Sequence, residues 1–139
     1  MRKLLTLVFS LFLVTATYAG SEPDGDVSTY FQGAHVSVSD AEAKLTEAGF
    51  EIVSTYSSVK KGKTIVFTCP TLKKEAATKP IRANIAVLRL FVDDQEKTIS
   101  LANPVYFGKA YMQDDYKHDT FLAVKAKLDK AFPGLKGSE

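Results

Sequence analysis

A single cysteine, Cys69, stands directly before Pro70, between a β-rich run and a short helix-forming run. At a strand-to-helix step, backbone N–H groups and the helix dipole favour a thiolate, so Cys69 is the one candidate nucleophile or redox group. The same residue type suits a small buried apolar position equally well. A second constellation, Gln113-Asp114-Asp115-Tyr116-Lys117-His118-Asp119, gathers acids around one of the two histidines. On a helix, Asp115, His118 and Asp119 share one face, a set suited to a metal ion. The plainer reading is an acidic helix N-terminus, which the dipole favours anyway. Axial His/Met haem ligation through His118 and Met112 is a further reading; the chain has no Cys-x-x-Cys-His, which excludes covalent c-type haem. Asn84, Asn103 and Tyr106 stand at strand ends beside apolar runs, where they line a small pocket near Cys69 or simply serve turn chemistry. His35 stands alone in a strand-like run and reads as structural. There is no Ser-His-Asp set, carboxylate pair, phosphate-binding loop or basic-aromatic patch, and nothing in the residues names a cofactor.

The N-terminus supplies an address. Arg2 and Lys3 precede the apolar run Leu4 to Val14, and Thr15 to Ala19 is small and polar. This is the layout of a secretory signal peptide cut after Ala19, followed by a polar linker over 20–26 and a domain over 27–139. The apolar run is shorter than the roughly 20 residues a membrane span needs. Of the 18 Lys and Arg, two leave with the leader, which matches the remaining cations to the 16 Asp and Glu. The net charge of +2 thus belongs to the leader. No basic surplus is left to attract nucleic acid or an anionic membrane. The expected location is periplasmic or secreted. One cysteine allows no internal disulfide, so the core alone must hold the domain.

The elements that would position these residues alternate in type. Val27 to Val38 reads as a strand with a possible bulge at Gly33. Ser39-Asp40-Ala41-Glu42 reads as a capping box, opening a helix with Ala41, Leu45 and Ala48 on one face; Gly49 ends it and Phe50 packs back. Strands follow over Phe50 to Tyr56 and Thr64 to Cys69, joined by a turn at Lys60-Lys61-Gly62-Lys63. Pro70 starts a short helix that runs to about Thr78, and Pro80 closes it. Ile81 to Val92 reads as a central strand. Asp93-Asp94-Gln95 turns it into a return strand, Glu96 to Ala102, and Asn103-Pro104 makes a further turn. Phe121, Val124 and Leu128 recur at helical spacing in a last helix over about Lys117 to Phe132, stopped by Pro133-Gly134. The order implies a single α+β domain, a mainly antiparallel sheet with helices packed on one face.

Several segments resemble the DUF302 family in the right order. Leu45 to Val53 resembles its helix, Gly-Phe, strand opening, and Val66 to Pro70 its strand, Cys/Asn-Pro, helix step. Lys79 to Val87 resembles its Leu-Pro-x-Asn strand; Val92-Asp93-Asp94 and Ser100 to Pro104 resemble its acidic hairpin and closing turn. Many members carry Asn where this chain has Cys69, and cysteine where it has Ala83. The resemblance implies a small α+β domain that pairs as a dimer, with no settled activity. Phe67 to Thr71 also looks superficially like a peroxiredoxin site, but the upstream proline, the Ser/Thr three residues before the cysteine and a resolving cysteine are all missing. The expected function is a non-catalytic module that binds a small ligand or protein partner and self-associates through its sheet, with Cys69, Asn84, Asn103 and Tyr106 as binding residues. The alternatives are a thiol-dependent redox or sulfur-handling protein using Cys69, and metal or haem carriage.

Overall fold

The computed structural model describes residues 28–138. The leader, the linker and the first residue of the expected domain lie outside the described residues. The fold is α+β: a six-stranded sheet in the order β2-β3-β4-β5-β1-β6, with every neighbouring pair antiparallel. Its strands are β1 (Tyr30–Ala34), β2 (Glu51–Val59), β3 (Gly62–Thr68), β4 (Leu88–Asp93), β5 (Thr98–Ala102) and the short β6 (Lys136–Gly137). The helices are α1 (Val38–Glu47), α2 (Pro70–Ala76), α3 (Pro104–Met112) and α4 (His118–Ala131).

Register sorts the side chains into two faces. Phe31 pairs with Leu101, Leu101 with Leu90, and Leu90 with Ile65, so one apolar row crosses four strands. Alternate positions (Phe67, Leu88, Val92, Ile99) share that face. Helical residues close over it: Ala41 and Leu45 from α1, Leu72 from α2, Met112 from α3, and Phe121, Val124 and Leu128 from α4 all join one buried cluster. The opposite face keeps Gln32, Ser100, Arg89, Phe91 and Val66, none of them fully buried. The helices thus close fully over the first face, and the second is covered only in part, with Thr64, Thr68 and Ala102 buried on it.

The start of α1 lies two residues earlier than expected. Ser37, not Ser39, is the N-cap, accepting from the Asp40 N–H at 3.1 Å. Both serines have an acid three residues on. With Ser37 as the cap, Ala41 falls in the core and Val36, just before the cap, packs against it. Glu42 is then free to accept from the Thr55 hydroxyl at 2.6 Å, tying α1 to β2. At the other end, Gly49 is left-handed at φ 87°, and its N–H and that of Phe50 close onto the Thr46 and Leu45 carbonyls. This is a Schellman cap, as the Gly-Phe pair promised.

Three expectations are corrected. The first strand is only Tyr30–Ala34, and His35 lies just beyond it, its Nε2 2.9 Å from Asp94 Oδ1 on the β4–β5 turn. The expected strand over 81–92 splits. Pro80–Ala86 is a 3₁₀ segment burying Arg82 and Ile85, three residues apart, and only Leu88–Asp93 is extended. Asn103-Pro104 opens a helix rather than a turn. Asn103 Oδ1 accepts from the Val105 N–H at 3.0 Å and Pro104 takes the first helical position. Val105 to Met112 is rich in β-branched and aromatic residues, which disguises α3 as a strand. Burial of Val105, Gly108 and Met112 at helical spacing overrides that propensity.

Gly108 is where α3 meets α4. A Cβ there would stand 2.5 Å from the Phe121 ring, too close for any side chain. Gly108→Ala is expected to lower stability by about 1–3 kcal/mol through overpacking. Urea denaturation followed by circular dichroism measures this; a variant as stable as the parent would show that the two helices can part at no cost.

Candidate functional site

The expected site residues do not converge. Cys69 is the N-cap of α2, but its side chain makes no capping hydrogen bond and is 1% exposed within the core cluster. Its thiol is shut away from solvent. Asn103 is also buried. It donates to the Ser28 carbonyl at 2.7 Å and receives the Val105 N–H, so it brackets the chain entering β1 against the start of α3. Tyr106 is exposed on α3, in a shallow hollow with Val105, Lys109 and Ala110. Asn84 is exposed on the 3₁₀ segment.

The acidic constellation is broken by the backbone. Asp115 ends a short 3₁₀ turn, Gln113–Asp115, and α4 begins only at His118, so Asp115 does not share a helical face with His118 and Asp119. Asp115 instead binds Arg82 Nη2 closely and accepts from Lys79 Nζ at 2.9 Å. His118 Nδ1 lies 3.1 Å from the Tyr116 hydroxyl. Met112 is 1% exposed in the core. Among the described residues, no three His, Cys, Asp or Glu side chains stand close enough to hold a metal ion.

What the sequence reading missed is Arg82. Its side chain is 6% exposed, and its guanidinium reaches three separate segments. Nη1 donates to Thr78 Oγ1 at 2.8 Å just beyond α2; Nη2 donates to the Met112 carbonyl at 3.2 Å at the end of α3, and to the Asp115 carboxylate. Among the described residues its Nε–H finds no partner. Arg82 thus grips the chain on both sides of Gln113, whose backbone is held at φ 51°, a strained conformation for a side chain with a Cβ. Beside it, buried Glu75 accepts from Lys117 Nζ at 3.3 Å. The one legible signal for Arg82 was its place three residues before Ile85, a spacing that fits a 3₁₀ turn and not a strand.

That clamp fixes one wall of a groove on the less covered sheet face. Tyr30 pairs with Ala102 across β1 and β5. One step beyond the Leu90–Leu101 pair, the same alternation sets Arg89 on the other side of Ala102. Small Ala102 is therefore a floor between the Arg89 and Tyr30 side chains. Phe107 and Tyr111 from α3, and Asn84 and Val87 from the 3₁₀ segment, complete a groove of about 290 Å³. Phe107 meets Tyr30 edge to face, with ring centroids 5.7 Å apart, and lies nearly parallel to Tyr111. Arg89 is exposed and, among the described residues, has no carboxylate partner, whereas Arg82, Lys73, Lys79, Lys117 and Lys125 all have one. Of the expected binding residues, the groove takes Asn84 alone.

A larger hollow of about 400 Å³ lies between α1 and α4, lined by Lys44, Glu47, Lys127 and Lys130. Lys44 and Lys130 sit in the last turns of their helices, where cations complement the negative end of the helix dipole. That accounts for the charge without a ligand.

No protein-family model matches this chain, and no characterised protein or solved structure proves similar to it. The DUF302 resemblance therefore rests on its motifs alone.

The Arg82 clamp carries a pH signature. Hydrogen bonds from Arg82 first, and then Lys79, hold the Asp115 carboxyl below its usual 3.8, at about 2. A carboxyl lowered on folding stabilises the fold fully above pH 3.8, and that stability is lost as pH falls through about 2. Denaturation midpoints measured from pH 7 to pH 2 are expected to fall more steeply below pH 4 for the parent than for Asp115→Asn, which starts less stable at pH 7. Parallel profiles would mean that the ion pair adds nothing to folding.

Proposed function

We propose that this chain is an exported, non-catalytic module that binds a small ligand in the groove between Tyr30, Arg89 and α3. The observation behind this reading is Arg89. Among the described residues Arg89 has no carboxylate partner, and it lines one concavity with three aromatic rings and a side-chain amide. Most ligand sites have this makeup, an apolar concavity with a few fixed polar groups. The groove is built on the sheet and on a helix anchored at both ends, so little order need be gained on binding. It offers no paired acid and base and no exposed nucleophile, which favours binding over catalysis. Export rests on the expected leader over residues 1–19.

Two other readings have less behind them. A thiol-dependent activity needs a partner to reach Cys69, which is enclosed by the core. Self-association through the sheet would use the free edge of β2. Register shifts at Val53 and Ser58 leave only Ser54 to Ser57 as regular edge, and bulges of this kind are a device that discourages strand addition.

One measurement addresses both address and site. Native mass spectrometry of protein purified from its own compartment is expected to show a chain beginning at Gly20 and carrying a non-covalent small-molecule adduct. The adduct should be absent from Ala102→Leu, whose larger side chain rises from the groove floor. An intact leader would overturn export. A ligand-free parent, or an adduct retained by Ala102→Leu, would overturn the groove reading.

A further inference from the structure

We infer that the groove selects a planar aromatic carboxylate; this rests on the reading of the groove as a ligand site. Among the described residues that line it, Arg89 is the one charged group and no acid stands with it. A cationic ligand is repelled, and a neutral one leaves the guanidinium unused. The planar fork of arginine matches a carboxylate with two parallel hydrogen bonds. Asn84 adds an amide that can donate to the same anion.

Charge count separates carboxylate from phosphate. One guanidinium balances a monoanion, whereas a phosphate near its second pKa of about 6 carries close to two charges and is usually met by several cations or N–H donors. The groove lies at the lower end of ligand-pocket sizes, about 300–1,000 Å³, which suits one or two fused rings. The ring arrangement favours a flat body. Tyr30 stands edge-on to Phe107 at 70°, while Tyr111 runs within 16° of the Phe107 plane. The three rings thus already combine edge-on and near-parallel orientations, the two arrangements that aromatic pairs prefer and that a flat ligand ring can extend. Arg89 is held by β4, paired on both sides by β3 and β5, so its backbone is fixed before a ligand arrives.

The test is a set of three titrations of the described domain in its full mature chain, followed by amide shifts in two-dimensional NMR. The probes are 2-naphthoate, the neutral isostere 2-naphthamide, and cyclohexanecarboxylate, which keeps the charge but not the flat ring. Binding of 2-naphthoate should shift the amides of Asn84, Val87, Arg89 and Ala102. Its dissociation constant should be about tenfold or more below those of the other two, the scale of a charge-assisted hydrogen bond. Arg89→Gln should lose about the same factor for 2-naphthoate and nothing for 2-naphthamide, with an unchanged melting temperature. Equal affinity for naphthoate and naphthamide, or for naphthoate and cyclohexanecarboxylate, would overturn the ligand class while leaving a groove that binds. Absence of groove shifts with all three probes would overturn the class and the ligand-site reading together.

Discussion

One buried guanidinium organises the side of this domain that matters. Arg82 joins the end of α2, the 3₁₀ segment, the last carbonyl of α3 and the turn before α4. None of these segments is long enough to be stable alone, since short helices in water are marginal. Burying a guanidinium is costly unless it is hydrogen-bonded and paired. Here the acid partner, Asp115, lies half in solvent, so the pair keeps one end hydrated and avoids the full desolvation of a closed ion pair.

The position of the groove follows from that clamp. α3 leaves the sheet at Asn103, presses Gly108 against Phe121 on the core side, and places Phe107 and Tyr111 beside Tyr30, Arg89 and Ala102. Had the residues after Pro104 continued as a strand, there would be no second wall. Arg82 fixes the far end of α3, and Thr68, donating to the Ala86 carbonyl, fixes the 3₁₀ segment against β3. The wall that carries Asn84 and Val87 is thus tied at both ends. Arg89 comes from the middle of the sheet, the most rigid element available.

Much of the frame was legible in the sequence. The Gly49-Phe50 cap, the Pro70 helix start, the hairpin turn at 93–95 (its return strand starting at Thr98 and not at Glu96) and the α4 stripe of Phe121, Val124 and Leu128 are local signals, each read from a few residues and a period. The site was far less legible. Cys69 and Asn103 looked chemical because of their residue types, and both turned out buried in structural roles. Asp115, His118 and Asp119 had helical spacing, but extended backbone at Tyr116 and Lys117 separates Asp115 from the other two. Arg82 and Arg89 looked like two ordinary charges in an apolar run.

By itself the sequence determined the α+β class and the helices with clear caps or periodic faces. These depend on neighbours within a turn or two of chain. Only the tertiary structure decided that residues 104–112 are helical, that residues 80–86 are not a strand, and that of two nearby arginines Arg82 is clamped and Arg89 is left open. The physical reason is distance along the chain. Arg82 meets Asp115, and Arg89 comes to line one groove with Tyr30, only after the sheet has brought them together, and the surroundings of a guanidinium are set by those remote residues and not by its neighbours in sequence.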